Sequence, residues 1–227
     1  MMNAHRRVVS FLSLALPFLS LVPLFASSAQ AEPYVAGQVG VTFPGDVSSV
    51  HGVRTNAGAN LTDLSLKTSL EGGLKAGYFL PGSHNWFGVE AEFFYTNPHL
   101  KQQNVTVTPG GGTFSLGGAH VRGATLAFNL IARHPGAQFQ PYAGVGLGIN
   151  WARISGNSAG VGTASDTSPG LNVLAGLRYL VAPHVGLFTE YKYTSATFDF
   201  GGHAPNTVDI KGDYSAHHIV VGVGYHF

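Results

Sequence analysis

Residues 86–96 read WFGVEAEFFYT, and their side chains alternate in character with a period of two. Two acidic residues, Glu90 and Glu92, share one set of positions. The other set holds Phe87, Val89, Ala91, Phe93 and Tyr95. Because successive side chains of a β-strand point to opposite faces, the stretch predicts a strand with one apolar and one charged face.

The same alternation recurs along the chain and divides it into eight predicted strands. They span residues 33–43, 67–80, 86–96, 119–133, 139–153, 169–181, 185–198 and 214–227. The connectors 81–85, 134–138 and 182–184 are short. Those at 44–66, 97–118, 154–168 and 199–213 are long and rich in Gly, Ser, Thr and Asn. Strands of about 9–11 residues in even number, joined by alternately short and long connectors, are typical of an antiparallel outer-membrane β-barrel.

Residues 1–31 have the pattern of a cleaved signal peptide, which divides the chain into a leader and a barrel domain at 32–227. A basic start is followed by the apolar run VVSFLSLALPFLSLVPLF and by Ala29-Gln30-Ala31, so cleavage is expected before Glu32. A retained anchor is the alternative, although the run is near the lower length limit for a span. No later apolar run approaches the roughly 20 residues of a spanning helix, which argues against a helical inner-membrane protein.

Charge and cysteine content exclude other classes of protein. The chain has 12 Lys+Arg and 11 Asp+Glu, and removing Arg6 and Arg7 with the leader leaves 10 basic residues against 11 acidic ones. This balance argues against a nucleic-acid-binding surface. The absence of cysteine excludes disulfides and cysteine-based zinc sites.

A periplasmic β-sandwich would show the same alternation, because it buries its apolar face and wets its polar one. The positions of the aromatic residues favour the membrane barrel, since such rings prefer the two bilayer interfaces. Those near the predicted strand ends are Tyr34, Phe43, Tyr78, Phe87, Tyr95, Phe139, Trp151, Tyr179, Tyr193 and Tyr225.

A sheet in lipid must close, because unpaired edge groups have no water to bind. Eight strands enclose an interior just wide enough for side chains, so an open pore is not expected. Barrels of this kind keep short turns in the periplasm, which predicts periplasmic termini and four exterior loops.

Three segments resemble the eight-stranded outer-membrane barrel family that includes the OmpA transmembrane domain and the Opa-like surface proteins. They are PYAGVGLGINWA at 141–152, LFTEYKYTSATF at 187–198 and HHIVVGVGYHF at 217–227. The resemblance implies a Gram-negative outer membrane, with lipid and lipopolysaccharide as surroundings. It also implies that the barrel-assembly machinery recognises the last strand through Val221, Val223, Tyr225 and Phe227.

Charged residues on the inner face predict an ion-pair network. The acidic ones are Glu71, Glu90, Glu92 and Glu190, and the basic ones are Lys67, Lys75, Arg133, Arg178 and Lys192. In a ring of eight, the second strand faces the sixth and the third faces the seventh. We therefore expect Glu71 or Lys75 to approach Arg178. We likewise expect Glu90 or Glu92 to approach Lys192. Such pairs would plug the lumen, because unpaired buried charges are costly; a gate with switching pairs is the alternative.

Inward glycines, including Gly144, Gly146, Gly176 and Gly222, are predicted to make room for these long side chains. No catalytic, cofactor-binding or metal-ligating residue is assigned. The adjacent His217 and His218 point to opposite faces and cannot chelate one ion together.

The expected role is structural or adhesin-like, with the loops at 44–66, 97–118, 154–168 and 199–213 available to an extracellular ligand. A lipid A-modifying enzyme is an alternative, resting on a loose pairing of Ser195 with His217 or His218. A narrow gated channel is another.

Overall fold

The computed structural model describes residues 32–52, 60–61, 65–99, 101, 103–109, 112–116, 120–136, 138–155, 164–200 and 210–227. The predicted signal peptide at 1–31 lies outside the described residues. Twelve strands follow in chain order: β1 (Glu32–Pro44), β2 (Ser48–Gly52), β3 (Asn60–Leu61), β4 (Ser69–Phe79), β5 (Phe87–Thr96), β6 (Gln103–Thr108), β7 (Gly112–Leu116), β8 (His120–Arg133), β9 (Phe139–Ser155), β10 (Ala164–Ala182), β11 (Val185–Phe200) and β12 (Ile210–His226).

Eight of these strands form one closed antiparallel barrel in the order β1-β4-β5-β8-β9-β10-β11-β12. The first and last strands pair along eleven positions, from Tyr34 opposite His226 to Pro44 opposite Ala216. This pairing leaves neither strand with a free edge inside the ring. The predicted eight-stranded barrel is confirmed, and the two-sheet sandwich is wrong.

The apolar face of each barrel strand is the outer face. Leu70, Leu74 and Leu147 are 78%, 67% and 70% exposed, whereas the inward Glu71, Lys75 and Glu92 are buried. Leucines this exposed would be unfavourable in water but are well solvated by acyl chains. The surface therefore fits a bilayer.

The four remaining strands lie in the connectors at 44–66 and 97–118, which the sequence pattern predicts to be loops. They continue the sheet beyond the ring in the order β12-β2-β3-β6-β7. The other two long connectors are shorter than predicted, because β9 and β10 stay paired as far as Ile154 opposite Ala164, and β11 and β12 as far as Phe200 opposite Ile210. Backbone pairing needs no apolar side chains, so Ser- and Thr-rich segments extend the ladders where the apolar pattern has ended.

Tyr34 differs from its predicted place in an interfacial aromatic belt. It is 4% exposed and lies inside the barrel, because Tyr34, Ala36 and Gln38 share the inward face of β1. Its ring stacks on Phe79 at 5.6 Å between centroids. These two rings belong to an apolar core in the half of the lumen near the short turns.

Inward glycines lie where ring side chains cross the lumen. A Cβ atom on Gly222 would stand 2.3 Å from the Phe188 ring, and one on Gly176 would stand 2.5 Å from the Tyr142 ring. Both distances are shorter than any van der Waals contact. The small residues thus make room for aromatic side chains as well as for charged ones.

No helix within the described ranges is long and apolar enough to cross a membrane. The short 3₁₀ turn Pro81–Ser83 connects β4 to β5.

Replacing Leu74 with Arg should lower the free energy of unfolding by about 2–4 kcal/mol, since it places a charge on the outer face near mid-bilayer. Leu80→Arg, at the end next to the short turn, should cost about 0–1 kcal/mol. Urea unfolding in lipid vesicles, followed by heat-modifiable gel migration, measures both. Equal costs at the two positions would argue against the bilayer placement.

Candidate functional site

The centre of the lumen holds six charged side chains that we call the plug: Glu71, Lys75, Glu90, Glu92, Glu190 and Lys192. Lys75 Nζ lies 2.8 Å from both carboxylate oxygens of Glu190. The same ammonium lies 3.3 Å from Glu90 Oε1 and 3.7 Å from Glu92 Oε1. One lysine of β4 thus joins acidic residues from two other strands.

The second lysine of the plug, Lys192 on β11, hydrogen-bonds Glu92 Oε1. Its Nζ also lies 3.9 Å from Glu71 Oε1 and 3.9 Å from Glu190 Oε1. The side chains of all six plug residues are at most 4% exposed. The two lysines therefore tie four glutamates together across a lumen closed to solvent at this level.

Neutral donors complete the plug, because four carboxylates exceed the two ammonium groups that face them. Every glutamate of the plug accepts at least one hydrogen bond from an uncharged side chain. The donors are the hydroxyls of Tyr34, Thr42 and Tyr142 and the amides of Gln38 and Asn129, at 2.6–3.1 Å. Hydrogen bonds to ionised acceptors are the strong ones, and buried charges without them are very unfavourable.

Arg178, predicted to meet Glu71 or Lys75, is outside the plug. In the register with β11 it lies opposite Phe188, two residues nearer the short turn than Gly176, which lies opposite Glu190. Two residues of a β-strand span roughly 7 Å along its axis. The Arg178 side chain therefore lies nearer the short-turn end of the barrel than the plug does. That pairing is therefore wrong.

Arg178 instead joins a cluster at the short-turn end of the barrel, which we call the rim cluster: Glu32, Arg133, Arg178 and His226. Arg133 makes a bidentate contact with Glu32, at 2.7 and 2.5 Å. Arg178 Nη1 lies 3.9 Å from Glu32 Oε1, and His226 Nδ1 lies 2.7 Å from that oxygen. The alternation signalled that Arg133 points inward, but nothing in the sequence signalled Glu32, at the start of β1, as its partner.

The structure brings Glu92, but not Glu90, to Lys192; Glu90 contacts Lys75. Lys67, placed inside by the sequence pattern, precedes β4 and is exposed.

The four residues of the expected assembly signal, Val221, Val223, Tyr225 and Phe227, all lie exposed on the outer face at the end of the chain. Their recognition by the assembly machinery stays a prediction.

His218 extends the plug towards the loop end and was not assigned a role from the sequence. Its Nδ1 lies 2.5 Å from Glu71 Oε2, and its Nε2 lies 3.0 Å from Thr194 Oγ1. The His218 imidazole thus contacts the Thr194 hydroxyl through one ring nitrogen and the Glu71 carboxylate through the other. Ser195, the hydroxyl considered from the sequence, is one residue along β11 and so points to the opposite face.

Above His218 the lumen widens into a cavity of about 90 Å³, which we call the chamber. Its walls are mainly apolar, with polar groups at the floor. The wall residues include Val47, Val50, Leu66, Val121, Ile154, Phe198 and Tyr214, and the floor residues are Phe94, Thr96, Thr125, Asn150, Thr194 and His218.

Phe94 separates the chamber from the plug. Its ring lies 4.2 Å from the ammonium of Lys192 and packs edge-on against His218, with 5.3 Å between ring centroids. Phe94 and His218 therefore close the chamber on the side of the plug. Within the described residues, no group of three or more His, Cys, Asp or Glu is arranged to hold a metal ion.

A family model described as the outer membrane protein β-barrel domain matches residues 11–227. The chain belongs to this family of outer-membrane barrels. Its place is accordingly the outer membrane of a Gram-negative bacterium. No curated protein sequence matches the chain.

Solved structures with the same fold include three barrels of low sequence identity. OprG from Pseudomonas aeruginosa superposes with a TM-score of 0.60 at 18% identity, covering 87% of this chain and 96% of OprG. Neisserial surface protein A superposes with a TM-score of 0.50 at 17% identity, covering 88% of this chain and 100% of that protein. The third is the attachment invasion locus protein Ail of Yersinia pestis, in complex with the heparin analogue sucrose octasulfate. It superposes with a TM-score of 0.50 at 15% identity, covering 88% of this chain and 100% of Ail. At such identities the likeness shows the fold of this outer-membrane barrel and not its ligand.

Lys192→Met should lower the free energy of unfolding by about 3–5 kcal/mol, because Glu92 loses its hydrogen-bonded cation and a single ammonium group then faces the four buried glutamates. Lys67→Met, at an exposed position, should change it by less than about 0.5 kcal/mol. Chemical unfolding in lipid vesicles compares the two. A small cost for both would mean that the plug contributes little to stability.

Proposed function

We propose that this protein is a sealed outer-membrane barrel that acts at the cell surface through its loop end and does not carry solutes across the membrane. The observation that supports this most directly is the plug, in which Lys75 and Lys192 bridge four buried glutamates. An ion crossing the lumen would have to separate these groups. Removing one partner of a buried pair costs about 3–5 kcal/mol, which favours a static plug over the gated channel.

The proposed orientation follows from the lengths of the connectors. The short turns 80–86, 134–138 and 183–184 and both ends of the barrel domain lie together at one end. In barrels of this kind that end is periplasmic. We place the long connectors and the chamber on the exterior side, after export directed by a cleaved leader at 1–31.

The exterior end then offers a rigid surface for an interaction. Strands β2, β3, β6 and β7 continue the sheet past the ring, so that part of the long connectors is held by backbone pairing. Loops supported by a rigid scaffold are common binding sites. Neisserial surface protein A and Ail carry the names of a surface protein and an attachment protein, and a surface-interaction role is what we propose here.

The proposed partners follow from this placement. Acyl chains of lipid and lipopolysaccharide would cover the outer leucines and valines, and the assembly machinery would bind the last strand through Val221, Val223, Tyr225 and Phe227 during insertion. A contribution to envelope integrity would accompany the surface role. The near balance of charges gives no support for nucleic acid as a partner.

In planar bilayers the purified protein should show no stable openings, because the plug fills the lumen. The double variant Lys75→Ala with Glu190→Ala removes the central pair and should raise the frequency of small openings. Single-channel recording measures both. Large, steady currents through the unmodified protein would refute the sealed barrel.

Labelling of single cysteines tests the orientation, since the natural chain has none. A large polyethylene-glycol maleimide should modify Lys101→Cys in intact cells. It should reach Gly82→Cys, in the short turn after β4, only after the outer membrane is permeabilised. The opposite pattern would invert the barrel.

An acyl-ester hydrolase acting on lipid A is a second candidate, favoured by the line of Thr194, His218 and Glu71 beneath an apolar chamber. A hydroxyl beside an imidazole that is oriented by a carboxylate is the arrangement of nucleophilic acyl transfer. The surface-binding role predicts that mass spectra of lipid A are the same with and without the protein. Loss of an acyl chain that Thr194→Val prevents would favour the hydrolase instead.

A further inference from the structure

We infer that the chamber binds a small molecule with an apolar body and a neutral head that donates a hydrogen bond, and that it rejects a carboxylate of the same shape. This inference rests on the proposed function, because it needs a loop end that faces the exterior. It concerns which ligands the chamber binds. Three features support it independently, namely the walls, the floor and the charge below the floor.

The walls define the apolar body. Side chains from the barrel and from the connectors enclose the space, among them Val50 and Leu66, which pack together as one buried cluster. A water molecule needs about 10–15 Å³ of such a cavity and two to four polar partners. The chamber, at about 90 Å³, has room for several waters, but its polar partners lie mainly at the floor. An aliphatic chain of several carbons satisfies the walls better than water does.

The floor defines the head group. The Glu71 carboxylate can only accept hydrogen bonds, so the Nδ1 of His218, 2.5 Å away, carries the proton. When the imidazole is neutral, Nε2 is an acceptor for the hydroxyl proton of Thr194, whose Oγ1 lies 3.0 Å away. The Thr125 hydroxyl likewise donates to Asn150 Oδ1 at 2.8 Å. Both threonines then use their protons in these bonds and keep oxygen lone pairs, while the Asn150 amide donates to Ser168 O at 3.4 Å. The threonine oxygens of the floor are therefore acceptors for a donating head.

The charge below the floor rejects an anionic head. The plug holds four carboxyl groups and two ammonium groups, so acidic groups are in excess below the floor. Four buried acceptors in or beside the plug have no hydrogen bond within the described structure: Gln38 Oε1, Glu71 Oε1, Glu92 Oε2 and Asn172 Oδ1. A carboxylate placed above them would add to this excess in a poorly screened environment.

No lysine or arginine of the chamber compensates for this excess of acidic groups. The residues that line it in the described part of the chain include neither Lys nor Arg. The ammonium of Lys192 lies beyond the Phe94 ring, 4.2 Å from its centroid, and its carboxylate partners surround it. An anionic head would therefore meet the aromatic ring and Thr194 instead of a cation.

Hexanamide and hexanoate test the inference, because they have the same shape and differ in charge. Hexanol is a second neutral donor. The protein in lipid nanodiscs, with ¹³C-labelled valine methyls, is titrated with each probe at about pH 8, where a carboxylic acid is ionised. Methyls of Val50 and Val121 report the chamber, and those of Val39 and Val221 on the outer face report partitioning into lipid.

We expect saturable shifts at the chamber methyls with hexanamide and hexanol, and an affinity for hexanoate lower by on the order of tenfold or more. Ala152→Leu adds bulk to the chamber from β9 and should abolish the shifts of all probes. Ala143→Leu, on the outer face of the same strand, should leave them unchanged. Glu71→Gln removes one negative charge and should narrow the gap between hexanamide and hexanoate.

Equal affinity for hexanoate and hexanamide would overturn the selection by the head group. Shifts of equal size in the Ala152→Leu variant, or no saturable shift with any probe, would overturn the chamber as a binding site. The proposed function is judged independently by the conductance and labelling experiments. A sealed, correctly oriented barrel with an empty chamber would therefore refute this inference alone.

Discussion

Pairing of the first and last strands is the constraint on which the rest of the structure depends. A backbone N–H or C=O group in hydrocarbon has no water to bind, and each unsatisfied group costs several kcal/mol. The eleven positions paired between β1 and β12 remove the two edges that an open sheet would expose. Closure in turn forces half of the side chains into a narrow lumen, whatever their polarity.

The plug is the consequence of that enclosure. Charged side chains held in a space of this width must satisfy one another, and the structure does so with two lysines, four glutamates and a shell of neutral donors. Glycines opposite the larger rings, such as Gly222 beside Phe188, provide the room. The surplus of carboxylates over ammonium groups sets the electrostatic character of the lumen, and through His218 it reaches the chamber.

The lumen is therefore divided along its axis into regions of different chemistry. The rim cluster around Glu32 closes the short-turn end, and the plug fills the middle. The apolar chamber occupies the loop end, where aromatic residues such as Phe198 and Phe200 replace the charges. This division separates the part that holds the barrel together from the part available to a ligand. Because the plug fills the middle of the lumen, the structure favours binding at the surface over transport.

The period-two alternation determined the eight strands of the barrel, the outer face and the inward direction of Glu71, Lys75, Glu92 and Lys192, because these depend only on the order of residues along each strand. The pairing of those charges depended on the stagger between strands, which no single strand records. The stagger carried Arg178 past the plug to Glu32 and brought His218 to Glu71. Tyr34, expected to be an interfacial ring, lies on the inward face of β1 and donates to Glu90 in the lumen. The chamber was decided only by the tertiary structure, since its walls come from barrel strands and from connectors whose Gly- and Ser-rich sequences carry no strand pattern of their own.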